Sequence, residues 1–363
     1  LSGPKLYLSS IALSLSYLIG FEPFGYQFIG LLAVSALFYF AINLNENRAA
    51  LLFFLFGFFL YCTGLYWLYI SIHIVSGAPK ILAILLIAIL SIYLSLFHSL
   101  FGFIFVKLHK RIANEWISLL LIAPSLWTLL EIFRGYFLTG FPWFSLGYME
   151  SGSLISSWAP IGGVFLVSMV MAMASSAILL TFLNKRVLGS LIIVILIISS
   201  YLLGKVNWTH KSNESSYQVA LVQGNIEQDK KWLGSEFENT LTLYASSLSN
   251  LEGTDLVIWP EVAIPSLKRN VEGYLKYLDA KIKEKDIQML ILGINTQDQN
   301  GQVFNSMISL GEEENIYQKR HLVPFGEYFP VTEGIRSWMQ SINLPSRDIA
   351  KGDRDQQPFN LGN

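Results

Sequence analysis

Charge is scarce in this chain. Of its 363 residues only 14% are Asp, Glu, Lys or Arg, where soluble globular domains carry about a quarter. What charge there is favours neither sign. The 25 basic and 26 acidic residues leave a net charge of −1, so no whole-chain field points to nucleic acid or to an acidic partner. Cysteine is nearly absent. Cys62 stands alone, which excludes a disulfide within the chain and a cysteine-built metal cluster. Apolar residues are plentiful instead: 53% hydrophobic and 14% aromatic, with a mean hydropathy of +0.46. That balance predicts a membrane protein.

The apolar residues are not spread evenly. Residues 1–206 are largely apolar with sparse charges, 207–216 form a polar linker, and 217–363 read as ordinary soluble sequence. A helix needs about 20 apolar residues to cross the hydrocarbon core, and lipid forces such runs to be helical. Seven are predicted, over Leu6–Gly20, Tyr26–Ile42, Ala49–Ile70, Ile81–Val106, Trp116–Phe133, Ile161–Leu183 and Val187–Leu203. The first is no signal peptide, because an aromatic turn, Phe21-Glu22-Pro23-Phe24, follows it rather than a small-residue cleavage site. One set of loops holds Lys5, Arg48, Lys107, Lys110, Arg111, Lys185 and Arg186; the other holds Lys80 and Arg134, with Lys205 and Lys211 at the start of the soluble part. The richer set is expected in the cytoplasm. Seven crossings then place the N-terminus in the cytoplasm and everything after Gly204 outside, in a bacterium the periplasm.

The loop from Arg134 through Gly140-Phe141-Pro142-Trp143-Phe144 to Gly147-Tyr148 is rich in aromatics. Trp143 and Tyr148 fit two descriptions: an ordinary interfacial aromatic belt, or a floor for lipid chains held in shape by Gly and Pro. Tyr66-Trp67 could join it. His98, within the fourth span, is expected to hydrogen-bond between helices, and Cys62 to pack as a small hydrophobe.

The soluble part alternates strands and helices. Val219–Gln223, Asp255–Trp259, Gln288–Gly293, Val303–Leu310 and Ile316–His321 read as strands. Glu236–Leu248, Val271–Lys285 and Thr332–Ile342 carry helical spacing. A layered α/β domain is predicted. Two segments carry chemistry. Trp259-Pro260-Glu261 places a carboxylate just past a strand end, where α/β sheets build sites. Lys319-Arg320-His321-Leu322-Val323-Pro324-Phe325-Gly326-Glu327-Tyr328 sets a lysine and a glutamate on either side of a rigid turn.

These residues resemble the nitrilase superfamily of carbon-nitrogen hydrolases, which use a Glu–Lys–Cys triad. His321–Tyr328, Gln223-Gly224-Asn225-Ile226 and Trp232, with Thr139–Trp143 and Phe21–Phe24 in the membrane half, resemble the apolipoprotein N-acyltransferase branch. The resemblance implies an αββα sandwich behind the membrane helices, in the bacterial inner membrane. It also implies transfer of a fatty acyl chain from phospholipid, through a thioester, to the diacylglyceryl-cysteine at the N-terminus of an apolipoprotein, the last step of lipoprotein maturation. Glu261 matches the general base, Lys319 the oxyanion-stabilising lysine and Glu327 a supporting glutamate. Trp232 lies on what reads equally as a gating loop or as core. No metal, cofactor or nucleic acid is expected.

One departure stands out. The family's nucleophile, a Cys followed by an aromatic and a Glu, has no match up to Asn363. The expectation is a catalytic domain cut short before its nucleophile and its last strands, inactive as residues 1–363 alone. Two alternatives remain open: a membrane-tethered amidase of the same superfamily, and a non-catalytic membrane scaffold.

Overall fold

The computed structural model describes residues 3–75, 77–150, 152–183, 185–210, 216–228, 230–324, 326–328, 333–334, 336–337 and 348–361. Two compact units emerge, Leu1–His210 and Lys211–Asn363. Residues 211–215 of the expected linker lie outside the described residues.

The first unit is helical. In order come α1 (Gly3–Ile19), α2 (Gln27–Ile42), α3 (Glu46–Gly64), the single turn α4 (Trp67–Tyr69), α5 (Lys80–His109), the single turn α6 (Glu115–Ile117), α7 (Ala123–Tyr136), α8 (Ala159–Phe182) and α9 (Arg186–Leu203). Each of the seven expected apolar segments is helical over most of its length. Among the described residues, five stretches are long and apolar enough to cross a membrane: Glu46–Gly64, Lys80–His109, Glu115–Thr139, Ile155–Phe182 and Arg186–Leu203. The other two, α1 and α2, have 17 and 16 residues. The third segment was expected to run unbroken to Ile70 but stops at Gly64. There the helix surface is tight: a Cβ on Gly64 would stand 2.5 Å from the Phe144 ring. A π-helical turn, Ser118–Ile122, joins α6 to α7. Pro124 sits in the first turn of α7, and the wider turn before it accommodates a ring that cannot donate an amide.

Aromatic rings fill the middle of this bundle. Phe101 lies 5.0 Å from Phe53 and 5.1 Å from Trp127, centroid to centroid. Small residues let backbones approach; a Cβ on Gly102 of α5 would come within 2.7 Å of the Ala49 carbonyl oxygen on α3. Two expectations are corrected here. His98 does not bridge helices by hydrogen bonds: its ring lies at 5.7 Å from both Trp127 and Tyr61, nearly parallel to each, and its Nε2 has no hydrogen-bond partner among the described residues. Arg134, counted from sequence as a loop cation, is 1% exposed and Glu131 is 3% exposed. The bundle interior therefore holds charged side chains that the apolar sequence hid.

Among the described residues, the second unit carries one mixed sheet of six strands: β1 (Val219–Leu221), β2 (Leu256–Ile258), β3 (Ile264–Leu267), β4 (Met289–Gln297), β5 (Val303–Gly311) and β6 (Ile316–Gln318). The order is β1-β2-β4-β5-β6, with β3 also on β4. β1, β2 and β4 run parallel, while β4 with β5 and β5 with β6 are antiparallel. Helices α10 (Gly234–Ser247) and α11 (Glu272–Glu284) contribute Leu241, Tyr244, Leu275, Leu278 and Ile282, and the turn after α10 contributes Leu248, to a core shared with Val257, Trp259, Leu290, Leu292 and Ile308. The central strand β4 runs past the expected Gly293 to Gln297 because β5 pairs along its whole length. β3 was not foreseen; at four residues with Pro265 inside, it shows little of a strand's alternation. The expected helix Thr332–Ile342 lies outside the described residues apart from 333–334 and 336–337.

Candidate active site

Glu261, Lys319 and Glu327 meet at one end of this sheet, each delivered by a different element. Glu261 follows β2. The ladder continues through Trp259, whose amide donates to the Ile291 carbonyl at 2.8 Å. The Trp259 ring is fully buried and lies 4.8 Å from Tyr244, tilted by 33°. Pro260 then ends the strand, as a residue without an amide must. A turn closes where the Ala263 amide donates to the Pro260 carbonyl at 3.2 Å, with Val262 in the left-handed region at φ 48°. Room for that turn comes from Gly293 on β4, where a Cβ would stand 2.3 Å from the Val262 nitrogen and 2.4 Å from the Pro260 oxygen.

Lys319 follows β6, and its amide donates to the Asn305 carbonyl of β5 at 2.8 Å. Glu327 closes the Pro/Gly turn on itself. Its amide donates to the Val323 carbonyl at 2.9 Å, while the Val323 amide donates to Glu327 Oε2 at 2.8 Å.

The side chains form a closed set of contacts. Lys319 Nζ donates to Glu261 Oε1 at 2.9 Å and lies 3.0 Å from Glu327 Oε1. Asn305 Nδ2, 7% exposed as a residue, donates to Glu261 Oε1 at 2.5 Å and to Glu327 Oε1 at 2.8 Å. Lys231 Nζ approaches the same turn, donating to the Glu261 backbone carbonyl at 3.2 Å. Glu327 thus has both oxygens engaged. Glu261 keeps Oε2 without a hydrogen bond among the described residues, and its side chain is 62% exposed against 15% for Glu327. One carboxylate is anchored and the other is open on one side.

Electrostatics follow from those contacts. Burial pushes the Glu261 carboxyl up, but the hydrogen bonds from Lys319 and Asn305 and the charges of Lys319 and Lys231 outweigh it, and it titrates below the usual carboxylate range. Burial pulls Lys319 down, yet its bonds to Glu261 and Glu327 win and hold it above an ordinary lysine. Lys231 is shifted down, by burial that the nearby Glu261 charge only partly offsets. The Lys319 ammonium thus sits between the side chains of Glu261 and Glu327.

Asn305, Lys231 and Gly293 were not singled out from sequence. The signal for Asn305 was present: an amide in the middle of an apolar strand, Val303–Leu310, must find polar partners if buried. Trp232 is exposed, in the turn beside Lys231 and before α10, so it is not core. Trp143 and Tyr148 belong to the helical unit, where both are close to half exposed.

A helical unit with apolar spans, joined to a sheet that carries Glu261 and Lys319 at one end, defines a membrane-anchored member of the carbon-nitrogen hydrolase class. Residues 218–359 match the carbon-nitrogen hydrolase family model, and residues 13–177 match that of the apolipoprotein N-acyltransferase N-terminal domain. Among similar curated proteins are apolipoprotein N-acyltransferases of Vibrio cholerae, 33% identical over 343 residues (92% of this chain, 67% of the relative), and of Pseudomonas putida, 32% identical over 358 residues (96% and 70%). That of Azotobacter vinelandii is 35% identical over 345 residues (92% and 66%). The chain belongs to the apolipoprotein N-acyltransferase family. It spans about two thirds of the length of these relatives.

Proposed function

We propose that this chain is the membrane and catalytic part of an enzyme that moves a fatty acyl chain from a phospholipid to the N-terminal amine of a diacylglyceryl-modified lipoprotein. The observation that carries the reading is the unequal pair of carboxylates on one lysine. Glu261 has a free, accessible oxygen suited to moving protons, while Glu327 spends both oxygens on holding Lys319, Asn305 and the Val323 amide.

The chemistry proceeds in two halves. A thiol beside Glu261 Oε2 gives its proton to that oxygen as its sulfur attacks the ester carbonyl of the phospholipid. Cys62, on the apolar helix α3, is not assigned that role. The carbonyl oxygen becomes an oxyanion facing the Lys319 ammonium, which stabilises it. As Lys319 turns toward the oxyanion, Glu261 loses the interaction that lowers its proton affinity and becomes a stronger base at that moment. The tetrahedral species collapses, breaking the carbon–oxygen bond, and protonated Glu261 returns its proton to the departing lysophospholipid alcohol. In the second half the lipoprotein amine attacks the thioester, Glu261 takes the amine proton, and the thiolate leaves and is reprotonated. Kinetics are ping-pong.

The same reading places seven crossings in the bacterial inner membrane. The loops bearing Arg48, Lys107, Lys110, Arg111, Lys185 and Arg186 lie in the cytoplasm, and the catalytic domain in the periplasm. Trp232, exposed beside the Glu261 turn, and Trp143 and Tyr148, exposed on the helical unit, are assigned to lipid contacts.

The test is product analysis with the full-length protein in phospholipid vesicles and a diacylglyceryl lipoprotein. Mass spectrometry should find N-acylated lipoprotein and one equivalent of lysophospholipid. Free fatty acid in place of N-acylated lipoprotein would identify a hydrolase and contradict the proposal.

A further inference from the structure

Several ionisable side chains are buried in the helical unit, Glu131, Arg134, Glu150 and His98 among them. Glu131 and Arg134, three residues apart on α7, are 3% and 1% exposed. Charged groups at membrane depth are costly, and where they occur they serve a site or a partner.

Most of their hydrogen bonds go to one short piece of chain. Arg134 Nη1 donates to the Trp143 carbonyl at 2.6 Å and to the Tyr61 hydroxyl, and Nη2 donates to Ser145 Oγ at 2.8 Å. Glu131 Oε1 accepts the Leu146 amide at 2.8 Å, together with the Trp127 indole N–H at 2.8 Å. Between those points the Tyr17 hydroxyl donates to the Phe144 carbonyl at 3.0 Å. The turn Trp143–Leu146 is gripped at every residue.

That grip has something to hold. Phe144 sits at φ 59°, and Leu138 and Thr139 earlier in the loop sit at φ 51° and 75°. Non-glycine residues keep such conformations only where the surroundings over-determine them. On its inner side the turn is plugged by the Phe144 ring, packed on Gly64 and edge-on to Phe21 at 5.4 Å. On its outer side the half-exposed Trp143 ring lies 4.8 Å from Phe141 and 6.2 Å from Trp67, tilted by about a third of a right angle to each.

We infer that Glu131 and Arg134 are positioning residues. They clamp the Trp143–Leu146 turn from the bundle interior, so that Trp67, Phe141 and Trp143 form a preorganised seat for a long acyl chain. The identity of that chain, the phospholipid donor's, rests on the acyltransferase reading. A seat already in its bound shape spares the donor the cost of ordering a loop. The residue types fit the task. Only a planar guanidinium reaches a carbonyl, a phenol and a hydroxyl from one fork, which the point charge of lysine does not. One carboxylate oxygen accepts both the turn amide and the indole.

The test uses the full-length protein in vesicles, with a phospholipid carrying a photoactivatable group in its acyl chain, and the variants Arg134→Lys, Arg134→Met and Glu131→Gln. Arg134→Lys should raise the donor KM by about tenfold, the effect of one lost charge-assisted hydrogen bond, with kcat little changed. Photolabelling of the peptide around Trp143 should fall in parallel. Glu131→Gln keeps an acceptor for Leu146 and Trp127 and should be milder. A residue serving only the fold would lower yield and melting temperature without moving donor KM or labelling, and that result overturns the inference. Should Arg134→Met fail to fold, the lysine and glutamine variants carry the comparison. Wild-type protein that acylates lipoprotein but takes no label between residues 137 and 150 sinks the clamp and leaves the acyltransferase standing. Label at Trp143 that falls in Arg134→Lys, without any N-acylated product, keeps the clamp and sinks the acyltransferase.

Discussion

Gly293 on β4 lies directly against the Glu261 turn, so close that a Cβ on it would stand 2.8 Å from the Glu261 carbonyl carbon. The neighbouring atoms are backbone, and nothing there can rotate aside. Gly293→Ala should therefore push the turn away from the sheet. The expected cost is about 1–3 kcal/mol of stability, the range for overpacking a tight site. Loss of acyl transfer should exceed the loss of folded protein. Denaturation midpoints and transfer rates on the same preparation check this.

Asn305 donates to both carboxylates from inside the sheet. Asn305→Asp replaces that donor with a third acceptor facing Glu261 and Glu327. Like charges at that range disfavour ionisation, so one carboxyl of the cluster should stay protonated near neutral pH. Transfer should fall at least about tenfold, the effect of losing a hydrogen bond between charged groups. Asn305→Ala should cost less, because it removes a donor without adding a charge. The order of the two rates is the measurement.

The pH profile follows from the direction of the shifts. Glu261 works as the free carboxylate, and its carboxyl titrates below the ordinary range. The acid limb of kcat/KM should therefore lie below about 4.3, the usual glutamate value. Replacing Lys231 with Met removes a nearby cation that lies outside the Glu261–Lys319 contact, and the limb should move up while transfer persists.

Stability shows the same linkage with the sign set by each group. The folded pKa of Glu261 is depressed, so its contribution is present above the unfolded value and is lost as pH falls through the folded one. Lys319 is raised, so its contribution is present below the ordinary lysine value and is lost as pH rises through the folded one. Both side chains are partly exposed, and solvent screens the effect. Thermal unfolding of Glu261→Gln against wild type should differ at neutral pH and converge in strong acid.

Much of this was legible in the residues. Long apolar runs could only be helices in lipid, and all seven segments are helical over most of their length, five of them in stretches long enough to cross a membrane. Trp259-Pro260-Glu261 announced a carboxylate at a strand end, and the Lys319–Glu327 segment announced its partners, because Pro, Gly and charged residues restrict where the chain can go. What could not be read was long-range. Asn305 looked like an ordinary strand residue until β5 was laid between β4 and β6. Arg134 counted as a loop cation because spacing along one chain does not show that Tyr61, 73 positions earlier, receives its guanidinium. His98 was expected to hydrogen-bond, but three rings from two helices, Phe56 and Tyr61 of α3 and Trp127 of α7, surround it instead.

The central claim is that the Glu261 carboxylate and the Lys319 ammonium act on one and the same acyl carbonyl. Acyl-transfer rates of full-length protein carrying Glu261→Gln, Lys319→Met and both together test it most directly. Residues that act as one unit are strongly non-additive: each single change should lower the rate by about a hundredfold or more, and the double variant should be scarcely slower than the worse single. Rates that multiply, with the double variant slowed by the product of the two single effects, would mean that the two groups work on separate steps or separate sites.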